Sequence, residues 1–377
     1  MSFEPKMSEY LHSKAVKNGV PLSGNFELTQ NCNFSCPMCY VHESERKEEL
    51  DAKTWLSLAE QAKNAGTLFL LLTGGEPLLR NDFEELYSAL SKMGFLISVN
   101  TNGSLAENYL PLFKKYPPFR LNISLYAAQR NAYKDFCKAD EFESVVGSIE
   151  ALQKNGIALR LNSVFTAQNY SQMPEIVRFS KEHKLHLKST AYAYPQIRTG
   201  SPCGENTARL SAPEAARCEV ETDILKYGEK AYAVKAERLI FEDDTAKKFA
   251  EYKKVRCRAG RSSFWLTWNG KMRPCAMLSE PETKPLEIGF DAAWKELSEK
   301  VGAIELPSEC AGCKRRKSCP VCAAMCFGET GTFTKKPEYV CRFFNEICLL
   351  AEEKRKGVSQ DETENIIAEF EGDMHDC

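Results

Sequence analysis

The chain has 377 residues, enough for two domains or for one barrel with an appendage. Its 50 Lys and Arg nearly balance 52 Asp and Glu, so no field suited to a polyanion is set up and nucleic acid is not an expected partner. There is no run of about 18 apolar residues and no charged-then-apolar leader, so neither membrane nor export is expected. A cytoplasmic chain keeps its thiols reduced, and its 16 Cys then read as metal ligands.

Residues 1–24 form an N-terminal extension. "NFELT" (25–29) reads as the first strand, and "NCNFSCPMCY" (31–40) follows it with Cys32, Cys36 and Cys39. "DAKTWLSLAEQAKNAG" (51–66) puts Trp55, Leu58, Ala59 and Ala62 on one helical face before a Gly stop. "LFLLL" (68–72) is a buried strand running into "TGGEP" (73–77). "NDFEELYSALSKMG" (81–94) predicts a helix with Asn81 as N-cap and Gly94 at its end. "FLISV" (95–99) leads to "NTNG" (100–103), and "RLNISL" (120–125) precedes a helix ending near Asn155-Gly156. "IALRLNSVF" (157–165), a helix at 173–183 and "LHLKSTAYA" (185–193) complete the series.

Six strand–helix units over residues 25–195 predict parallel strands with right-handed crossovers. A full eight-fold barrel takes about 250 residues. The expected fold is therefore α/β, an open TIM-like partial (β/α)6 barrel with its chemistry at the carboxyl ends of the strands. The cysteine loop, "GGEP", "NTNG" and the segment Ser124–Tyr126 all fall at those ends. Residues 196–250 read as a bridging segment, 251–348 as a small Cys-rich C-terminal domain, and 349–377 as an acidic, solvated tail.

Three thiolates on one loop can hold three irons of a [4Fe–4S] cube and leave the fourth to an outside ligand. On these residues alone, a zinc site completed by His42 is the alternative. The segment resembles the CxxxCxxC motif of the radical S-adenosylmethionine superfamily, and "TGGEP" resembles that superfamily's GGE motif. Gly74 and Gly75 permit close backbone approach. The resemblance implies that Glu76 meets the methionine ammonium and that Asn102 and Ser124 contact ribose and methionine. Asn162 and Val164 on the fifth strand match less distinctively. Met38 departs from the aromatic residue often found before the third Cys. The implied activity is reductive cleavage of S-adenosylmethionine to a 5′-deoxyadenosyl radical that abstracts a substrate hydrogen, with an external one-electron reductant as partner. The resemblance assigns no catalytic side chain.

In the Cys-rich domain, Cys257 and Cys275 flank "SFWLTWNGKMRPC", in which Asn269-Gly270 predicts a type I′ hairpin packed by Trp265 and Trp268. By spacing alone, Cys310, Cys313, Cys319 and Cys322 could form a zinc ribbon beside the basic run 314–317. Together with the hairpin pair, the region resembles the SPASM domain, which implies two auxiliary [4Fe–4S] clusters. The resemblance gives Cys310, Cys313, Cys319 and Cys341 to one cluster. It gives Cys257 and Cys275 to the other, with further ligands from Cys322 and Cys326. The family's last Cys would fall at Ala323, so Cys322, Cys326 or both replace it. Cys137, Cys203, Cys218, Cys348 and Cys377 are given no role.

The SPASM resemblance implies a peptide or protein substrate, ribosomally made and altered by crosslinking, epimerisation or oxidation. Only about 24 residues precede the first strand, so leader recognition is expected from a separate protein or the barrel surface. A formylglycine-forming maturase and a small-molecule or haem-modifying enzyme are the enzymatic alternatives. An iron–sulfur electron carrier or scaffold is the non-enzymatic one. Tyr126, Arg130, Tyr133, Lys138 and residues 191–198 are placed at the active-site opening, with helix-face or core roles open for each.

Overall fold

The computed structural model describes residues 7–41, 48–195, 208–242 and 248–355. His42, Cys203, Cys377, residues 196–198 and most of the acidic tail lie outside them. Six strands follow the expected order: β1 (Ser23–Glu27), β2 (Phe69–Thr73), β3 (Leu96–Thr101), β4 (Arg120–Ser124), β5 (Leu159–Val164) and β6 (Leu187–Thr190). Each pairs in parallel with the next. Two more, β7 (Ser263–Leu266) and β8 (Met272–Arg273), extend the sheet on the far side of β1, giving the open order β6-β5-β4-β3-β2-β1-β7-β8.

Period-two alternation divides the strands into two faces. Leu70, Leu72, Ile97, Val99, Leu121, Ile123 and Leu161 are buried and belong to the hydrophobic core. On β4 and its neighbours the other face is polar. The register pairs Asn100 with Asn122 and Ser124 with Asn162, and Asn122 Nδ2 donates to Asn100 Oδ1 at 2.8 Å.

The crossover helices form for local reasons. The helix Ala52–Asn64 is capped by Asp51, whose carboxylate accepts from Thr54 N–H at 2.8 Å, and it buries Trp55, Leu58, Ala59 and Ala62 as its spacing predicts. The helix Phe83–Lys92 starts one residue later than expected. Its N-cap is Asp82, not Asn81, and Asp82 does not cap with its side chain. That carboxylate is taken by Arg80, whose Nε and Nη2 donate to it at 2.8 and 2.7 Å.

After β4 the chain forms two helices where one was expected, Arg130–Cys137 and Phe142–Lys154. Lys138 breaks the run in the left-handed region at φ 55°. Asp140, just beyond, pairs with Arg130 at 3.0 Å and Lys134 at 3.1 Å.

The sheet crosses the boundary expected at residue 251. Asn25 Nδ2 donates to Phe264 O at 2.7 Å, and Trp265 Nε1 donates to Glu27 at 2.7 Å, stitching β7 onto β1. The β7–β8 turn is not type I′, because Gly270 alone in the loop takes a positive φ, 82°. Thr267 N–H donates to Lys271 O at 2.9 Å and Gly270 N–H to Thr267 O at 2.8 Å, the pattern of a three-residue loop closed by a left-handed glycine. The Thr267 hydroxyl donates to the Asn269 side chain at 2.7 Å, and Trp268 is fully buried, so the "WNG" run is drawn inward.

Residues 7–18 form a helix whose His12 meets Ser262 Oγ at 2.9 Å. In the bridging segment, the helices Ala212–Tyr227 and Glu229–Leu239 pack against a long helix at Glu338–Arg355. Among the described residues no helix is long and apolar enough to cross a membrane.

Candidate cofactor and cluster sites

The loop after β1 and the turn after β2 meet as backbone against backbone. Gly75 N–H donates to Thr29 O and Glu76 N–H to Asn31 O, both at 2.8 Å. A Cβ on Gly74 would lie 2.4 Å from Thr29 O, and one on Gly75 would lie 2.3 Å from Asn31 O. Only glycine allows the cysteine loop to approach this closely.

Glu76 is fully buried and receives three hydrogen bonds from the chain. Its carboxylate accepts from Thr101 Oγ1 at 2.8 Å, Asn102 N–H at 2.6 Å and Leu78 N–H at 3.1 Å. Burial nevertheless raises its pKa to about 7, against those donors. The side chain expected to meet an ammonium thus braces the turn after β3. No described residue donates to the carbonyls of Gly74 or Gly75.

Asn102 carries that turn to the cysteines. Its Nδ2 donates to Asn33 Oδ1 at 2.8 Å and reaches Cys32 Sγ at 3.9 Å, while its Oδ1 accepts from Ser104 N–H and Oγ. Cys32 Sγ also accepts from Phe34 N–H at 3.4 Å. Burial pushes the Cys32 thiol up to about 11, with further upward pressure from Glu76 and Cys39. Cys36 is raised by contact with the Cys137 thiol, by burial, and by Cys39 and Cys32.

These thiols oppose one another's ionisation, a conflict that a bound cationic group relieves. Among the described residues, no three His, Cys, Asp or Glu stand close enough to hold a single metal ion. A soft-donor set spread over one loop and supported by N–H donors fits an iron–sulfur cluster.

Gly74, Gly75, Glu76, Asn102 and Cys32 are joined by these contacts. Ser124, the last residue of β4, stands beside Asn162 on β5, and among the described residues Asn162 Oδ1 is buried without a partner. Val164 pairs with Thr190 on β6, at the same end of the sheet. Of the residues placed at the opening, Tyr126 packs near Cys36. Tyr133 is instead fully buried, edge-on to Phe34, because its helix face points into the core. Arg130 is spent on Asp140, and Lys138 ends a helix. Sequence reasoning passed over Asn33, Thr101 and Ser104, though all three sit inside or beside the motifs. It also passed over Cys137, which no local signal joins to Cys36.

In the Cys-rich region the thiols form two groups. Cys257, Cys275 and Cys322 line a cavity of about 30 Å³ with Pro274, Leu278 and Val301. Burial, then Cys322 and Cys257, push Cys275 up to about 12. Burial raises Cys310 to about 11 and Cys319 to about 12, with Arg316 opposing and Cys313 adding in both. Cys341 adds to the rise at Cys310. Both groups have the donor chemistry of clusters.

The basic run divides. Arg316 is buried among the thiols, while Arg315 pairs with Glu352 at 3.2 Å and the Lys314 side chain lies at the surface. Trp265 and Trp268 are buried.

Residues 26–180 match the family model of the radical SAM superfamily. A probable GTP 3′,8-cyclase of Sulfurisphaera tokodaii is 28% identical over 266 residues, covering 69% of this chain and 83% of the relative. The probable GTP 3′,8-cyclase of Metallosphaera sedula is 33% identical over 167 residues, which is 42% of this chain and 53% of the relative, so the match spans about half of that protein. Among solved structures, Streptococcus suis SuiB bound to the precursor peptide SuiA superposes with a TM-score of 0.66 at 18% identity, covering 90% of this chain and 83% of SuiB. The anSMEcpe structure with bound AdoMet gives a TM-score of 0.65 at 17% identity, covering 92% and 100%. At such identities the structures establish the fold.

Proposed function

Because residues 26–180 match the family model of the radical SAM superfamily, we propose that this chain cleaves S-adenosylmethionine reductively and abstracts hydrogen from a peptide substrate. The observation that carries the reading is the rim junction, where the Cys32–Cys36–Cys39 loop is locked onto the Gly74–Glu76 backbone and supported by Asn102. A [4Fe–4S] cluster and S-adenosylmethionine bound there would supply one-electron cleavage to a 5′-deoxyadenosyl radical.

The chain's own part is binding, orientation and exclusion of water. Cys32, Cys36 and Cys39 would hold three irons. Phe34 N–H and Asn102 Nδ2 stabilise the Cys32 thiolate, lowering the cost of its ionisation. The open carbonyls of Gly74 and Gly75 offer acceptors to an ammonium, while Glu76 keeps the turn after β3 in register. Ser124, Asn162 and Val164 line the same end of the sheet, and the free Asn162 Oδ1 offers an acceptor to a ligand hydroxyl.

The Cys-rich region supports the peptide reading through its two thiol groups, which we assign to auxiliary [4Fe–4S] clusters. Cys310, Cys313, Cys319 and Cys341 would hold one. An external one-electron reductant and a separate leader-recognition protein complete the proposed partners, in the cytoplasm. A second reading, a small-molecule substrate, is favoured by the curated relatives named probable GTP 3′,8-cyclases.

The test is anaerobic reconstitution followed by S-adenosylmethionine and dithionite, with 5′-deoxyadenosine counted by mass spectrometry. Product that disappears in the Cys32→Ala/Cys36→Ala/Cys39→Ala variant supports the activity, and product that survives there overturns it. Adding peptides encoded beside the gene, or GTP, then separates the substrates by which one gains a modified mass.

A further inference from the structure

We propose that, among the described residues, Cys257, Cys275 and Cys322 are the cysteines of one auxiliary cluster, that Cys326 is not among its ligands, and that Tyr194 is a positioning residue whose hydroxyl hydrogen-bonds the Cys322 sulfur. This rests on the reading of the Cys-rich region as a cluster domain.

The cavity is the first observation. Its wall includes three thiols and otherwise apolar side chains, and Cys326 is not part of it. Cys322 and Cys326 are separated by the start of a helix, Ala323–Thr330. Cys322 is its N-cap in extended backbone, and Cys326 lies within it, fully buried, with its N–H donating to Cys322 O at 3.0 Å. The thiols that act electrostatically on Cys326 are Cys310, Cys322 and Cys319, so it stands between the two thiol groups, whereas those acting on Cys275 are Cys322 and Cys257. One helical turn therefore divides two cysteines that the sequence leaves equivalent.

Tyr194 is the second observation. It lies on the segment after β6, and its hydroxyl is 3.8 Å from Cys322 Sγ. The Tyr192 ring stands perpendicular to it with centroids 4.9 Å apart. Tyr192 is anchored in turn, since its hydroxyl donates to Glu329 at 2.6 Å and Arg209 Nη2 donates to the same carboxylate oxygen at 2.7 Å. The Arg209 guanidinium stacks 3.6 Å from the centre of the Tyr339 ring. Glu329 belongs to the helix that Cys322 caps. The barrel and the thiol pocket are thus fixed to each other through one buried ion pair and three tyrosines. A hydrogen bond to a cluster sulfur stabilises the reduced, more negative state and raises the reduction potential.

Iron content and redox titration followed by electron paramagnetic resonance test this on the full-length, reconstituted chain. Wild type should hold about twelve irons. Cys326→Ala should keep all of them, and Cys322→Ala should lose about four together with one spectroscopic signal. Tyr194→Phe should keep its iron and shift that same signal to lower potential, with 5′-deoxyadenosine production in each variant reporting an intact barrel. Loss of about four irons in Cys326→Ala, or an unmoved potential in Tyr194→Phe, overturns the proposal. A wild-type content of only about four irons would instead overturn the cluster reading of the whole Cys-rich region.

Discussion

Cys32, Cys36 and Cys39 lie on a single loop between residues 31 and 40, whereas Cys257, Cys275 and Cys322 meet only after a hairpin, a long helix and a helix N-cap have been placed. The first set is held by short-range contacts: backbone hydrogen bonds to the glycine turn and one asparagine. The second is held by packing between elements distant in sequence. A ligand set of the first kind can be read from spacing alone. One of the second kind has an ambiguity that only tertiary structure resolves, and the choice between Cys322 and Cys326 is that ambiguity.

The sharpest way to break this contrast is to remove the first set. Replacing Cys32, Cys36 and Cys39 with Ala should abolish 5′-deoxyadenosine formation and remove about four irons, measured by mass spectrometry and metal analysis, while the other thiol groups stay loaded. A smaller loss should follow Gly75→Ala. Its Cβ would press on Asn31 O, displacing the cysteine loop without removing a thiol, and product formation should fall about a hundredfold with iron retained.

Cys313→Ala attacks the other region. It should cost about four irons yet leave 5′-deoxyadenosine formation from dithionite measurable, which separates the two fields functionally. Glu76→Ala leaves Thr101 Oγ1, Asn102 N–H and Leu78 N–H without their acceptor, and anaerobic denaturation should show a loss of about 1–3 kcal/mol. At the bottom of the scale, Arg130→Ala breaks an exposed pair with Asp140 and should change neither iron content nor product.

The same contrast explains what the sequence made legible. Strands β1 to β6 and the helix burying Trp55, Leu58, Ala59 and Ala62 follow from periodicity and capping, which act over a few residues. The misses share one cause, competition from a partner outside the local window. Asp82 fails to cap because Arg80 holds it, and Asn269 stays out of the left-handed region while Thr267 holds its side chain. Tyr133, open in the sequence between rim and core, is placed in the core, where its ring packs edge-on to Phe34. Cys137 gains a neighbour in Cys36 from a separate element, and no spacing rule could join them.

The pairing of β7 with β1 bears on how the chain reaches its native state. Residue 23 finds its lateral neighbour at residue 263, so the first strand made is completed only after most of the polypeptide has been synthesised. Until then one edge of β1 is an open template for foreign strands, an aggregation hazard typical of topologies with high contact order. A fragment ending near residue 250 would keep that edge exposed for good, and the Trp265 indole that Glu27 binds would be missing. Expression of the barrel alone should therefore yield inclusion bodies, and dissection of this protein into separately folding halves should fail at the sheet.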